Sequence, residues 1–220
     1  MPAAISKSLE PGLTGRQLSF RYDRKAPWLF RGLDISIAPG EAVGLTGPSG
    51  TGKSTLAQIL AGFIKPSNGS VMFNDKPLPQ KGFSPVQYIY QHPQLAVNPR
   101  WTGRQIVSEA FQPPDELLDM LEISPGWLNR YPHELSGGEL QRMAVARALG
   151  PDTKCLLADE LSAMLDPLTQ ALIWRTLKNY KIKGLSLLVI SHDRHLMAKV
   201  CDRTLSLKNF DQQDKRKRPR

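Results

Sequence analysis

The chain has 220 residues, 40% of them apolar, and a formal net charge of +9. That is enough for one substantial hydrophobic core, and no run of about 18 apolar residues exists, which excludes a membrane-spanning helix. Met1 to Glu10 carries no apolar segment of the secretory kind, and the two cysteines, Cys155 and Cys201, stand far apart with no metal-like spacing, so a reducing, cytosolic setting is expected.

In chain order, Leu18, Phe20 and Tyr22 alternate with polar residues at the period of a half-buried strand. A turn at Asp23-Arg24-Lys25-Ala26-Pro27 follows, and Leu33, Ile35 and Ile37 alternate again. Ala38-Pro39-Gly40 turns the chain into a third strand, Glu41 to Thr46, so the opening predicts an antiparallel β layer. Next comes Gly47-Pro48-Ser49-Gly50-Thr51-Gly52-Lys53-Ser54-Thr55, a glycine, four variable residues and Gly-Lys-Ser, with a helix predicted from Leu56. Strand, glycine loop and helix together are the context of a phosphate cradle. Glycines let successive N–H groups turn inward, the helix start adds partial positive charge, Lys53 supplies a point charge, and the Ser54 hydroxyl suits Mg²⁺.

Ser70 to Phe73 and Val86 to Tyr90 read as further strands, the second ending at Gln91. From His92 to Gly150 the character changes. Helices are predicted from an N-cap at Thr102 to about Phe111, over Glu116 to Leu121, and from Gly138 to Leu149, with no strand signal between them. This reads as a helical subdomain inserted in an α/β core. The core resumes with Cys155 to Ala158, an apolar strand closed by Asp159-Glu160, where Cys155 packs as a small hydrophobe. A helix over Leu168 to Tyr180, a strand over Leu185 to Ile190 ending at Ser191-His192-Asp193, a short helix and a strand from Arg203 to Leu207 complete it.

Strands alternating with helices predict a mainly parallel sheet with helices on both faces, and chemistry gathers at the carboxyl ends of such strands. The glycine loop, Gln91, Asp159-Glu160 and His192 all fall at predicted strand ends, around one site. Asp159 is placed to hold Mg²⁺, and Glu160 to polarise a water. Leu135-Ser136-Gly137-Gly138-Glu139 forms a second anion-binding helix start. One nucleotide does not need two cradles from one chain, whereas a symmetric dimer does.

From about Leu18 to Leu207 the chain resembles the ATP-binding subunits of ABC transporters. Gly47 to Ser54 matches the Walker A loop, Cys155 to Asp159 the Walker B strand, and Leu135 to Glu139 the LSGGE signature. Gln91 stands at the Q-loop, Leu165-Asp166 at the D-loop, His192 at the switch histidine, and Tyr22 where an aromatic stacks on adenine, with Phe20 as the nearest alternative. The resemblance implies the P-loop NTPase ABC ATPase fold: 1–16 as an N-terminal segment, 17–207 as the ATPase domain with its helical subdomain at about 92–150, and 208–220 as a basic tail. It implies ATP and Mg²⁺ as cofactors, with Lys53 on phosphate and Ser54 and Gln91 completing the metal shell. Glu160 would be the general base, and His192 would contact the γ-phosphate. Leu161 stands where a proline usually follows the glutamate, and Ala163-Met164 where Ser-Ala is usual.

Val97-Asn98-Pro99-Arg100 and Asp166-Pro167-Leu168-Thr169-Gln170 look like the peptide/nickel importer branch. The chain ends soon after its last strand, without that branch's cysteine-containing extension, which tilts the expectation toward nickel or a metal chelate. Implied partners are transmembrane permease subunits, a second ATPase subunit (non-identical or identical) and an extracellular substrate-binding protein. The implied place is the cytoplasmic face of the cell membrane. The alternative is a soluble ABC-type ATPase acting on nucleic acid, prompted by the pI of about 9.7 and a tail holding six bases and two acids. The 44 positions from Gln91 to Leu135 are too few for the long coiled coil of repair ATPases, and only one cassette is present, so no nucleic acid is expected. A non-hydrolysing module is disfavoured because Glu160 and His192 are both present.

Overall fold

The computed structural model describes residues 12–161 and 164–207. In chain order these form β1 (Leu13–Phe20), β2 (Phe30–Ile37), β3 (Ala42–Thr46), α1 (Lys53–Leu60), β4 (Asn68–Phe73), β5 (Lys76–Pro77) and β6 (Val86–Ile89). Then come α2 (Gly103–Val107), α3 (Asp115–Met120), α4 (Gly137–Ala148), β7 (Cys155–Asp159), α5 (Pro167–Ile182), β8 (Ser186–Ile190), α6 (Arg194–Val200) and β9 (Arg203–Ser206). One sheet is antiparallel, in the order β2-β1-β4-β5; the other is parallel, in the order β6-β7-β8-β3-β9.

The parallel strands β7 and β8 are buried at every position, as strands covered on both faces must be. Successive side chains of a strand point to opposite faces, and the two hydrophobic clusters sort accordingly. Val43, Leu45, Leu157, Leu188 and Ile190 pack with α1 (Leu56, Ile59, Leu60) and with Leu18 and Leu33 of the antiparallel layer. Ala42, Leu156, Ala158, Leu187 and Val189 pack with Leu140, Met143, Ile173, Leu177 and Met197 of α4, α5 and α6. The parallel sheet is thus the shared floor of two cores. Cys155 is fully buried in the first of them, where desolvation pushes its thiol pKa up and keeps it inert.

The strand Ala42–Thr46, expected with the opening antiparallel layer, lies instead in the parallel sheet between β8 and β9, and β4 pairs with β1 in that layer. Two further elements differ from the sequence expectation for local reasons. The first strand starts at Leu13 and breaks register at Gln17, whose φ is 52°. The Asp34 carboxylate accepts both the Gln17 backbone N–H and its side-chain amide at 2.6 Å, which holds the irregularity in place. Alternation is lost there, so a period-two reading starts only at Leu18. Helix α2 does start at Thr102, which pairs with Gln105 in a capping box, but it stops at Val107, short of Phe111. The Ser108 hydroxyl donates at 2.6 Å to the Arg104 carbonyl, which already accepts the Ser108 backbone N–H at 3.1 Å, the back-bonding that closes the last turn on itself. The segment 92–150 carries no strand among the described residues.

The antiparallel layer is tied to the parallel sheet by an ionic clamp. Arg203 donates to Glu41 (2.6 Å) and to the Ser36 carbonyl (2.6 Å), while the Ala38 N–H donates to the other Glu41 oxygen (2.8 Å). Burial raises the Glu41 pKa, but the Arg203 and Ala38 hydrogen bonds outweigh it and leave the group below its ordinary value. Glu41 therefore adds stability that is fully present above the unfolded carboxylate pKa and is lost as pH falls through its lower folded value. Glu41→Gln should cost about 1–2 kcal/mol at pH 7. In urea titrations that deficit should shrink as the pH drops below about 4, the usual range of a free glutamate. A deficit that stayed constant with pH would show that the clamp acts through shape alone.

Candidate nucleotide site

The loop leaving β3 is built by glycine conformations. Gly50 and Gly52 hold φ of 76° and 92°, in the left-handed region. A Cβ on Gly50 would meet nothing within 4 Å, so open space lies over the loop, whereas one on Gly52 would press Leu29 at 2.6 Å. α1 begins at Lys53 behind Gly52 with no side-chain cap, which leaves its first-turn N–H groups for a ligand. Lys53 is buried and its ammonium donates to the Gly47 carbonyl (2.9 Å) and the Pro48 carbonyl (3.0 Å), so the cation lies across its own loop. The Thr51 hydroxyl donates to the Pro48 carbonyl at 2.8 Å. Pro48, Ser49 and Ser54 are exposed.

Tyr22 lies just beyond β1, with its side chain 74% exposed. Its hydroxyl is within 2.8 Å of the Thr55 hydroxyl, and its ring stands edge-on to Phe20 at 5.1 Å. The first turn of α1 thus tethers an aromatic ring beside the loop.

Asp159 ends β7 opposite Ile190 of β8, and Ile190 is in turn opposite Leu45 of β3. The acid and the loop therefore emerge from the same end of the sheet. Asp159 is buried; its Oδ2 accepts from the Tyr88 hydroxyl at 2.6 Å, and its Oδ1 is buried with no hydrogen-bond partner. Glu160 follows with φ 50°, a left-handed conformation that costs about 1 kcal/mol or more for a side chain of this kind. The Glu160 N–H donates to the Ile190 carbonyl at 3.0 Å, fixing the bend toward the end of β8. There Glu160 Oε1 lies 3.4 Å from His192 Nε2, not aligned as a hydrogen bond, and is also buried without one. Burial raises the Glu160 pKa above the usual carboxylate range, with Asp159 adding to the rise and the positive fields of His192 and Lys53 opposing it.

Two orphaned carboxylate oxygens at the foot of an uncapped phosphate cradle are costly in a folded protein, on the order of 1–3 kcal/mol each. They suit a hard cation and an attacking water, and a magnesium ion takes few protein carboxylates when phosphates complete its shell. No group of three His, Cys, Asp or Glu side chains that could hold a metal is found among the described residues. Gln91 follows β6, the strand next to β7, and its side chain is exposed.

The second anion cradle lies elsewhere. Ser136 caps α4, accepting the Glu139 N–H at 3.2 Å while the Glu139 carboxylate accepts the Ser136 N–H at 2.7 Å. That box uses the acceptor side of the serine oxygen and leaves its proton to donate. Ser136 and Gly137 are exposed, a Cβ on Gly137 would meet nothing, and Gly138 lies beside Leu165 and Thr169 at the start of α5. The structure thus gathers the loop, Asp159, Glu160 and His192, and leaves Ser136 to Gly138 facing outward. Leu161 is buried and Met164 is 72% exposed; Ala163, most of the N-terminal segment 1–16 and the basic tail 208–220 lie outside the described residues. Sequence reading passed over Tyr88, although Val86 and Tyr88 alternate onto the face that Asp159 shares.

A glycine-loop helix, a strand-end acid pair and an outward serine turn on an inserted helical layer define a nucleotide-binding cassette of the phosphate-loop class. The family model described as ABC transporter matches residues 30–163, more than half of the chain, and the chain belongs to that family. It is 35% identical over 217 residues to the putative oligopeptide transport ATP-binding protein YkfD of Bacillus subtilis, covering 88% of this chain and 66% of that protein. It is 34% identical over 197 residues to the nickel import ATP-binding protein NikE of Escherichia coli, covering 80% and 74% respectively. The chain thus spans about two thirds to three quarters of the length of these two relatives. Its fold superposes on the ATP-binding cassette MJ0796, solved as a post-hydrolysis dimer bound to ADP and Pi, with a TM-score of 0.74 at 24% identity over 90% of this chain and 95% of that one. For cbiO1 of Clostridium perfringens, part of the transporter complex cbiONQ, the TM-score is 0.73 at 25% identity, over 90% and 84%.

Proposed function

We propose that this chain is the ATP-hydrolysing subunit of an importer, seated on the cytoplasmic side of a membrane permease and working as one of a pair. One observation carries the reading: Asp159 Oδ1 and Glu160 Oε1 are buried without partners beside an uncapped glycine-loop helix. ATP and Mg²⁺ are the species that such an arrangement fits. The N–H groups of the Gly47 to Thr55 loop other than Pro48, with Lys53, hold the β- and γ-phosphates, and the Tyr22 ring stacks on adenine. Ser54, Gln91 and Asp159 would hold Mg²⁺, which when bound neutralises charge building on the phosphate oxygens.

Glu160 takes the proton of a water whose oxygen attacks the γ-phosphorus; the bond to the β–γ bridging oxygen breaks, and ADP and phosphate leave. A carboxyl held above its ordinary pKa is a better proton acceptor at neutral pH. His192 orients the γ-phosphate side of the reaction. The Ser136 to Gly138 turn of a second subunit, identical or not, closes the pocket from the opposite side.

The relatives named for oligopeptide and nickel import support peptide, nickel or a metal chelate as cargo, delivered by an extracellular binding protein. No described helix is long and apolar enough to cross a membrane, so passage falls to partner subunits. A groove between β6 and the helical layer, where Phe63, Phe83 and Leu95 are exposed, supports docking of an apolar permease segment. Leu95→Asp should abolish co-purification with the permease; retention of the complex would move the docking face elsewhere. The reading as a whole is tested by reconstituting the complex in vesicles and following nucleotide-dependent uptake of a peptide and of Ni²⁺ in parallel. Hydrolysis that no permease stimulates, with no uptake of either, would overturn it.

A further inference from the structure

Tyr88 is the penultimate residue of β6, and Asp159 closes the neighbouring strand β7. In the parallel register Tyr88 is opposite Leu157, so Asp159 stands one same-face step further along. That step brings the Tyr88 hydroxyl to Asp159 Oδ2 at 2.6 Å. The tyrosine is 7% exposed, and its ring is wedged edge-on between Tyr90 (4.6 Å) and Phe63 (5.9 Å). A carboxylate can only accept, so the hydroxyl's one proton is directed at Asp159. The oxygen it does not reach, Oδ1, is the one left buried and unpartnered.

We infer that Tyr88 is a positioning residue for the metal site: it clamps one oxygen of Asp159 and so presents the other, in a single orientation, to the cation bound with the nucleotide. The inference rests on reading Asp159 as a metal-binding acid. A carboxylate free to rotate about its last bond must be ordered on binding, and one already held does not lose that freedom. Partners that orient a ligand in this way are worth roughly 10–100-fold in metal affinity.

The test is Mn²⁺ binding to the full chain in the presence of ADP, followed by electron paramagnetic resonance, for the natural protein and Y88F. Phenylalanine keeps the ring and its packing and removes only the hydroxyl. The expected result is a Mn²⁺ midpoint raised about tenfold, with nucleotide affinity in the absence of metal unchanged. Hydrolysis by Y88F should regain most of its rate at saturating metal, a KM-type loss in the cation. An unchanged Mn²⁺ midpoint in Y88F would overturn the inference, whatever the melting temperature. Failure of the natural chain to bind Mn²⁺ with ADP would instead overturn the metal-site reading on which it stands. If Y88F does not fold, Y88M fills the same apolar space without a hydroxyl: a raised midpoint supports the clamp, and an unchanged one sinks it.

Discussion

Glu160→Gln should leave nucleotide binding intact and slow hydrolysis by at least about 10²-fold, the scale of a lost general base. The amide keeps the size of the carboxylate and cannot accept a proton. Nothing in the phosphate cradle touches it: Lys53 is held by the Gly47 and Pro48 carbonyls, and the uncapped N–H groups belong to the first turn of α1. The bend that aims residue 160 is made by its backbone, through the N–H donated to Ile190, and survives the change. The Oε1 that is now buried without a partner would no longer carry charge, so the variant should also bind ATP in a long-lived state. A fluorescent nucleotide titration together with single-turnover phosphate release separates the two effects. Turnover equal to that of the natural protein would remove Glu160 from the chemistry.

Ser136→Arg should be as severe and for a different reason. Among the described residues Ser136 hydrogen-bonds within its own helix cap, and a Cβ on Gly137 would meet nothing within 4 Å, so the turn is open to a partner. A bulky cation there would block the approach of a second subunit's nucleotide while leaving the local pocket whole. The isolated chain should bind ATP as before, and the paired ATPase should lose at least about 10²-fold in rate, comparable to removal of a preorganised donor for phosphate charge. Loss of cap energy, about 1 kcal/mol, is too small to explain such an effect through unfolding. If the variant monomer failed to bind ATP, the turn would belong to its own site, and the paired arrangement would be wrong.

Much of this was legible in the residues. Buried parallel strands announce themselves as unbroken apolar runs, and β7 and β8 were read at nearly their true ends. The glycine loop and the Ser136 cap carry their chemistry in local spacing, so their positions needed no fold. Tyr88 was not legible as a site residue, because its partner lies 71 positions away and only the register of β6 on β7 brings them together. The left-handed bend at Glu160 was equally hidden: it is imposed by the Ile190 carbonyl of another strand, and glutamate has no local preference for it. The early start of the first strand escaped alternation because Asp34, on the neighbouring strand, holds the Gln17 kink in place.

The ammonium of Lys53, resting on two carbonyls of its own loop, has a consequence for which nucleotides the pocket keeps. Those two bonds tie the ammonium to its own loop, and a polyphosphate would have to replace them with contacts at least as strong. On the reading of this pocket as an ATP site, two or three phosphates would reach the ammonium and offer charge in return, whereas AMP would stop short. A single subunit would then sort adenine nucleotides by length, and weaker retention of AMP than of ADP by the isolated chain is the expected result.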